Sequence, residues 1–428
     1  MAVESRSVKD GSAQAGDGAG REAPPNGSEK MTGSSNGRAL LTLSGCVVLL
    51  WAVMMSVFPA LPKISAGFGI SSGDLGLVLT GSALVMTVLN VPAGVLADRF
   101  GRRPPILVGL ALSALSILLA SLPFSGWSVF AVSWILFGVG RGLFLSPSFT
   151  VPVDLFPPQS RGKAVGFLAG GIGLGSVLGY VYGGLLLTVG SWRVVLGVDA
   201  GLLAAAALVA ALLLPESSRA RQPSTLGAAF ATTLGWFSHR TVVLSGLAAG
   251  ITFAVGIAAT FVVPFSLTAL HASSLLIATI FVPYEIVASV GTNVAGSLSD
   301  RIGRVPVLGG CVVIVTVALV LLPVLGVSAW SIAVIYSLVG LAEGPAISMT
   351  TTLVADEVVR TDPMRVGSAL GANRLVQGIG PVLGPVLGGF LVGHAGAKGQ
   401  FWILGAGCLV ALAFVAPLRA SARRAVVA

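Results

Sequence analysis

The chain has 428 residues, 55% of them hydrophobic and only 10% charged, with a mean hydropathy of +0.95, a balance that excludes an ordinary water-soluble enzyme. Its 25 Lys and Arg against 16 Asp and Glu leave a net charge of +9, yet the bases stand singly or in small groups between apolar runs, which excludes a nucleic-acid partner. Cys46, Cys311 and Cys408 each lie alone inside an apolar run, which fits neither a disulfide framework nor a metal cluster and makes them packing residues.

Residues 1–38 are rich in Gly, Ser and Ala, carry charges of both signs, and hold too few apolar groups to offset the entropy of folding. A disordered tail is expected there. The first apolar run opens at Ala39 and is long enough to cross a bilayer, so it reads as a span and not as a signal peptide. Further runs predict spans over 75–97, 105–123, 127–149, 163–187, 192–214, 241–264, 275–297, 305–326, 329–353, 367–392 and 400–418, after the first at 39–61, twelve in all. Gly and Pro inside them do not exclude helices, because neighbouring helices satisfy the freed backbone groups. Two six-span domains result, 39–214 and 241–418. The linker 215–240 includes an apolar segment, Thr225–Trp236, suited to a short helix along the membrane surface, and a tail covers 419–428.

Basic residues in short loops remain on the cytoplasmic side. With the N-terminus inside, every Lys and Arg falls on that side except Lys63, Arg193 and Lys398, and Arg141 and Arg374, which lie within spans. Both termini are therefore expected in the cytoplasm, with the chain in the plasma (inner) membrane.

The chain also repeats itself. Gly94-Val-Leu-Ala-Asp98-Arg99-Phe-Gly101-Arg102 returns as Gly296-Ser-Leu-Ser-Asp300-Arg301-Ile-Gly303-Arg304, a displacement of 202 positions. Gly138, Gly142, Ser146 and Asp154 return at the same offset as Gly340, Gly344, Ser348 and Asp356, and Gly175, Gly179, Gly183 and Gly184 return at offset 205 as Gly380, Gly384, Gly388 and Gly389. The fold class expected is an all-α integral membrane protein, twelve transmembrane helices in two pseudo-symmetric six-helix bundles.

The loop signature G-x-x-x-D-R-x-G-R-R at Gly94–Arg103, its partial copy at Gly296–Arg304 and the duplicated twelve spans resemble the major facilitator superfamily over everything after residue 38. The resemblance implies a secondary transporter. It also implies that Asp98, Arg99, Arg102 and Arg103, with Asp300, Arg301 and Arg304, form charge pairs or helix-end contacts that latch one side shut, the glycines Gly94, Gly101, Gly296 and Gly303 allowing close approach. A loop that merely anchors the cytoplasmic side is the plainer reading.

Span 11 reads Gly380-Pro381-Val-Leu-Gly384-Pro385-Val-Leu-Gly388-Gly389, which resembles the G-x-x-x-G-P-x-x-G-G motif that drug-proton antiporters of this superfamily carry in helix 5. Span 5 has the same small residues, Gly175 and Gly179 included, but Tyr180 where the proline stands. Such a face permits helix bending, or simply tight packing.

Five ionisable residues fall inside spans, where a charge at the bilayer centre costs about 2.5–3.5 kcal/mol: Arg141, Asp199, Glu285, Glu343 and Arg374. Each is a candidate for the proton-coupling and substrate cavity. Arg141 and Glu343 stand 202 apart and so share a depth near the midplane, roughly 20 Å from Asp154 and Asp356 at 1.5 Å per residue. Arg141 also resembles the helix-4 arginine of proton-coupled relatives, although the usual Gln and Gly do not follow it. Glu285, fifteen residues ahead of Asp300, is the first candidate proton carrier and Glu343 the second. Asp199 lies two turns after Trp192-Arg193, nearer the outer surface. The alternative is structural ion pairing, for instance Arg374 with Glu343 or Glu285.

His239, His271 and His394 have no ligand spacing, and the chain has neither a nucleotide-binding loop nor a nucleophile elbow, so no metal, cofactor or enzyme activity is expected. Trp51, Trp134, Phe253, Phe281 and Tyr284 are candidates to line an apolar cavity. The expected function is proton-coupled export of small amphipathic organic molecules by a monomer working through alternating access, its partners being solute, protons and lipid. Two alternatives remain open: a proton symporter importing an organic acid or sugar-like solute, with Arg141 as anion contact, and a transporter-like receptor that moves nothing.

Overall fold

The computed structural model describes residues 33–216, 226–361 and 366–427, and among these every regular element is helical. The helices are α1 (Gly33–Ser56), α2 (Leu61–Phe68), α3 (Ser72–Phe100), α4 (Arg103–Ser121), α5 (Trp127–Leu155), α6 (Pro158–Val189), α7 (Trp192–Leu213), α8 (Leu226–Gly235), α9 (Arg240–Ala269), α10 (Ser274–Ile302), α11 (Arg304–Leu325), α12 (Ala329–Thr361), α13 (Val366–Gln377), α14 (Ile379–His394) and α15 (Gly396–Val427). They supply twelve helical stretches long and apolar enough to span a membrane: α1 and α2 share the first across a 3-10 turn at Phe58–Ala60, and α13 and α14 share the eleventh.

The boundaries move outward from the expected ones because a helix does not stop where the hydrocarbon does. α1 begins at Gly33, so residues 33–38 belong to a helix and not to a tail, and Asn36 anchors that end by donating to the Leu155 carbonyl at 3.0 Å. The rest of the expected tail, 1–32, lies outside the described residues. α15 likewise runs through most of 419–428. In the linker, α8 falls within the expected Thr225–Trp236 segment, while 217–225 lie outside the described residues. Trp236, at the end of α8, is buried and donates its indole N–H to Ser368 at 2.8 Å, tying the linker to the second bundle.

The caps repeat with the sequence. Ser71 accepts from the Asp74 N–H at 3.1 Å to start α3, and Ser273, 202 positions on, accepts from the Leu276 N–H at 3.2 Å to start α10. At their other ends Gly101 (φ 88) and Gly303 (φ 93) adopt a backbone conformation that an L side chain resists.

Packing repeats too. α6 lies on α1, α3 on α5 and α4 on α7 in the first bundle, as α14 lies on α9, α10 on α12 and α11 on α15 in the second. The glycine stripes make the first of these contacts close. A Cβ at Gly183 would stand 2.6 Å from the Ser56 carbonyl, and Cβ atoms at Gly380, Gly384 and Gly388 would stand 2.6–2.8 Å from Phe253, Ile257 and Phe261. Gly175 and Gly179 likewise meet the α1 backbone, within an α6 that is one unbroken helix. In span 11 the ladder is interrupted at Gly378, and Pro381 has no N–H to return to the Gln377 carbonyl. A buried amide network fixes α13 to its own bundle: Asn373 donates to the Val242 carbonyl at 2.9 Å, and Gln377 to Thr350 at 2.9 Å.

The bundles meet along α3 with α14 and along α6 with α10, whereas α13 packs chiefly on helices of its own bundle and on the linker. Ser72 donates to the Gly389 carbonyl and Thr80 to the Val382 carbonyl, both at 2.8 Å and both between bundles. These contacts occupy the half of the molecule away from the termini. Among the described residues these hydrogen bonds close the molecule on that distal face.

Candidate functional site

Two neighbouring helices, α10 and α12, each carry a carboxyl group beside the seam between the bundles. α10 carries Tyr284 and Glu285, and α12 carries Tyr336 and, two turns on, Glu343. Glu343 is 3% exposed, its Oε2 accepts from the Tyr284 hydroxyl at 2.7 Å, and it lies close enough to Glu285 for their charges to interact. Gly256 of α9 makes the room: any side chain there would overlap the Glu343 carboxylate. Glu285 lies near Ser176 of α6 in the first bundle, whose hydroxyl donates to the Ile172 carbonyl at 3.1 Å. Neither carboxylate has an ion-pair partner among the described residues.

A run of aromatic rings extends from this pair across the seam. Tyr284 stacks on Tyr336 with centroids 4.4 Å apart and planes at 14°, Tyr336 meets Phe281 edge-on at 5.5 Å, and Phe281 stacks on Tyr180 of α6 at 4.4 Å and 9°. The Tyr336 hydroxyl shares a 2.6 Å hydrogen bond with Thr260. Of the expected cavity aromatics, Phe281 and Tyr284 belong here. Of the others, Trp51 lies against Gly175, Phe253 against Gly380, and Trp134 stacks on Phe130 at 5.7 Å.

In the first bundle Asp199 is fully buried and accepts from the Ser56 hydroxyl at 2.8 Å and from the Tyr182 hydroxyl at 2.5 Å, so α7 is bonded to α1 and α6. Arg141 is 6% exposed, has no ion-pair partner among the described residues, and holds its guanidinium 5.5 Å from the centre of the Phe137 ring. It shares neither a bond nor an ion pair with its sequence mate Glu343. Arg374 is exposed, and among the described residues the alternative pairing with Glu343 or Glu285 is not formed. Among the described residues none of the five intramembrane charges is ion-paired.

The loop signatures form two matching clusters on the terminal face. Arg102 bridges Asp98 at 2.6 Å and Asp154 at 3.1 Å, and Arg304 bridges Asp300 at 2.7 Å and Asp356 at 3.3 Å. Arg304 also donates to Ser299. Arg103 donates to the Ala211 carbonyl at the end of α7 at 2.5 Å, Arg99 lies over Phe100, and Arg301 is exposed. Gly94 faces Ser146, while Gly296 faces open space. Each cluster stays within its own bundle.

The sequence reading missed Tyr180, Tyr182, Tyr336 and Gly256. A signal existed: the chain has 4 tyrosines, all inside spans, and each belongs either to the ring run or to a carboxylate.

The family model described as Major Facilitator Superfamily matches residues 43–362 and 244–427. The chain is 29% identical over 390 residues to the multidrug resistance protein MdtH of Aeromonas salmonicida (strain A449), covering 86% of this chain and 90% of that protein. It is 29% identical over 378 residues to a probable 4-methylmuconolactone transporter of Cupriavidus pinatubonensis (strain JMP 134 / LMG 1197), covering 83% of this chain and 82% of the other. Among solved structures, a bacterial homologue of the human lysosomal transporter Spinster, inward-facing and occupied, shares the fold with a TM-score of 0.75 at 18% identity, over 91% of this chain and 97% of that one. With the duplicated bundles and the family model spanning nearly the whole chain, the protein belongs to the major facilitator superfamily.

Proposed function

We propose that this chain is a proton-coupled exporter of small amphipathic organic compounds, working as a monomer in the inner membrane with both termini in the cytoplasm. The observation that carries the reading is the Glu285 and Glu343 pair: two carboxyl groups within spanning helices, interacting with each other and facing no cation among the described residues. Placing two anions within spanning helices with no cation beside them costs several kcal/mol per charge, so a resident proton is the simplest way to keep the pair. The pair reaches the seam along which the bundles must separate, so gain or loss of that proton alters the contact that alternating access has to break. Export, rather than import, is favoured by the MdtH relative, whose name is that of a multidrug resistance protein. The basic residues on the terminal face favour a cytoplasmic placement for it.

Import of an organic anion is a second reading, favoured by the buried Arg141, which has no ion-pair partner among the described residues, and by the similarity to a probable 4-methylmuconolactone transporter. One experiment separates the two. In proteoliposomes of known protein orientation, a cationic dye and a small organic acid are each given at equal concentration on both sides, and an inward proton gradient is imposed. The dye moving against the gradient supports export, the acid moving with it supports the second reading, and no movement of either, against an active control transporter, overturns coupling to these solute classes.

A further inference from the structure

We infer that Tyr180 is the positioning residue through which the acidic pair of the second bundle acts on the first: its ring, stacked on Phe281, is the end of the aromatic run that begins at the hydrogen bond from Tyr284 to Glu343. The inference rests on the proposed role of the acidic pair and names how that role is transmitted.

Tyr180 stands where the family motif has a proline, and its surroundings account for a ring at that position. It is 1% exposed, stacks on Phe281 of the other bundle with planes 9° apart, and touches Phe58 edge-on at 6.5 Å. Phe58 lies in the 3-10 turn that interrupts the first span, so one ring contacts both sides of the distal closure. The Tyr180 hydroxyl has no hydrogen-bond partner among the described residues, which leaves the ring face as the functional part.

From Phe281 the contacts continue through Tyr336 to Tyr284, ring against ring. The Tyr284 hydroxyl donates to a carboxylate, and such a charge-assisted bond is about twice as strong as the one that remains when the carboxyl is neutral. Neutralising Glu343 therefore loosens Tyr284, and among the described residues the ring stacked on Tyr284 is the one leading to Tyr180. The ionisable groups facing the pair are Tyr180 from α6, Tyr284 beside Glu285 on α10, Tyr336 on α12 and Cys408 on α15. None of these is a cation that could take over the charge.

The test is a double-mutant cycle read as a distance. Spin labels replace Phe124, between α4 and α5, and Trp330, in the first turn of α12, both strongly exposed and at the distal ends of opposite bundles, in full-length protein whose three buried cysteines are changed to alanine. The ratio of distal-open to distal-closed molecules is measured in lipid nanodiscs at low and high pH. Backgrounds are wild type, Glu343→Gln, Tyr180→Leu, their combination, Tyr180→Phe, and Tyr180→Phe with Glu343→Gln. Leucine keeps most of the volume but not the stack, and phenylalanine keeps the stack but not the hydroxyl.

The expected result is that Glu343→Gln shifts the ratio by about 2- to 10-fold, the range a single aromatic pair supports, and that this shift disappears in the Tyr180→Leu background but survives in Tyr180→Phe. Equal shifts with and without the Tyr180→Leu change, or loss of the shift in Tyr180→Phe, would overturn the inference. If the cycle is non-additive but wild type is insensitive to pH, the coupling through Tyr180 stands and the assignment of the pair as proton carrier falls.

Discussion

The two loop clusters have the same residues at the same spacing but not the same burial, and that difference sets their worth. Arg102 is 4% exposed and its partner Asp154 8%, so Arg102→Ala leaves a carboxylate in a pocket that water barely reaches. Breaking a buried pair from one side costs about 3–5 kcal/mol. Arg304 is 24% exposed, with Asp300 at 66% and Asp356 at 48%, so water already solvates both carboxylates and Arg304→Ala costs about 0–1 kcal/mol. The expected gap between the two substitutions is about 2–5 kcal/mol although the sequence motif is shared. Denaturant unfolding in one detergent, followed by tryptophan fluorescence for both variants and for Asp154→Asn and Asp356→Asn, measures it. High salt should narrow the loss in the Arg304 series and leave the Arg102 series nearly unchanged. A loss from Arg304→Ala that equals or exceeds that from Arg102→Ala would refute the burial argument.

Two further outcomes follow from local geometry. Gly101→Ala and Gly303→Ala should each cost about 1–3 kcal/mol in the same unfolding assay, nearly equally, because both glycines hold positive φ and the penalty is in the backbone; a difference beyond that range would show that the loops are not conformationally equivalent. Gly256→Ala drives a methyl group into the Glu343 carboxylate, so it should cost about 1–3 kcal/mol and depress gradient-driven flux, and adding Glu343→Asp, which withdraws the carboxylate by one methylene, should restore part of both; no rescue by the second change would place the defect elsewhere.

Much of this architecture was legible because it depends on composition along the chain. Twelve apolar runs, a repeat at 202 positions and the loop charges Asp98 and Arg102 with their copies need no knowledge of how any helix is rotated, whereas the part played by Asp154 and Asp356 in those clusters came from the structure. The site was harder to read. In a soluble helix a polar face marks the outside, but in lipid the outside is as apolar as the core, so nothing in the sequence says which way position 374 or 343 turns. Arg374 could therefore be paired with Glu343 on paper, although no such pair forms among the described residues. Equivalence under the repeat assigns Arg141 and Glu343 a shared depth, since a repeat operation relates positions without making them touch. Tyr182 and Tyr336 carried no such mark for a related reason. An aromatic residue at helical spacing reads as packing, and only the partners of Tyr182 and Tyr284, carboxylates on other helices, distinguish them. The glycine stripe in α6 allowed two readings, and it packs closely on α1, whereas the interruption in span 11 falls at Gly378, outside the motif.

The central claim is that the acidic pair carries the proton that drives transport, and a comparison of two fluxes in the same vesicles tests it most directly. Glu285→Gln and Glu343→Gln proteins are reconstituted beside wild type, and solute movement is followed once under an imposed pH gradient and once as exchange of labelled for unlabelled solute with no gradient. The account predicts that at least one variant loses gradient-driven movement while keeping exchange. Full gradient-driven movement in both variants would contradict it.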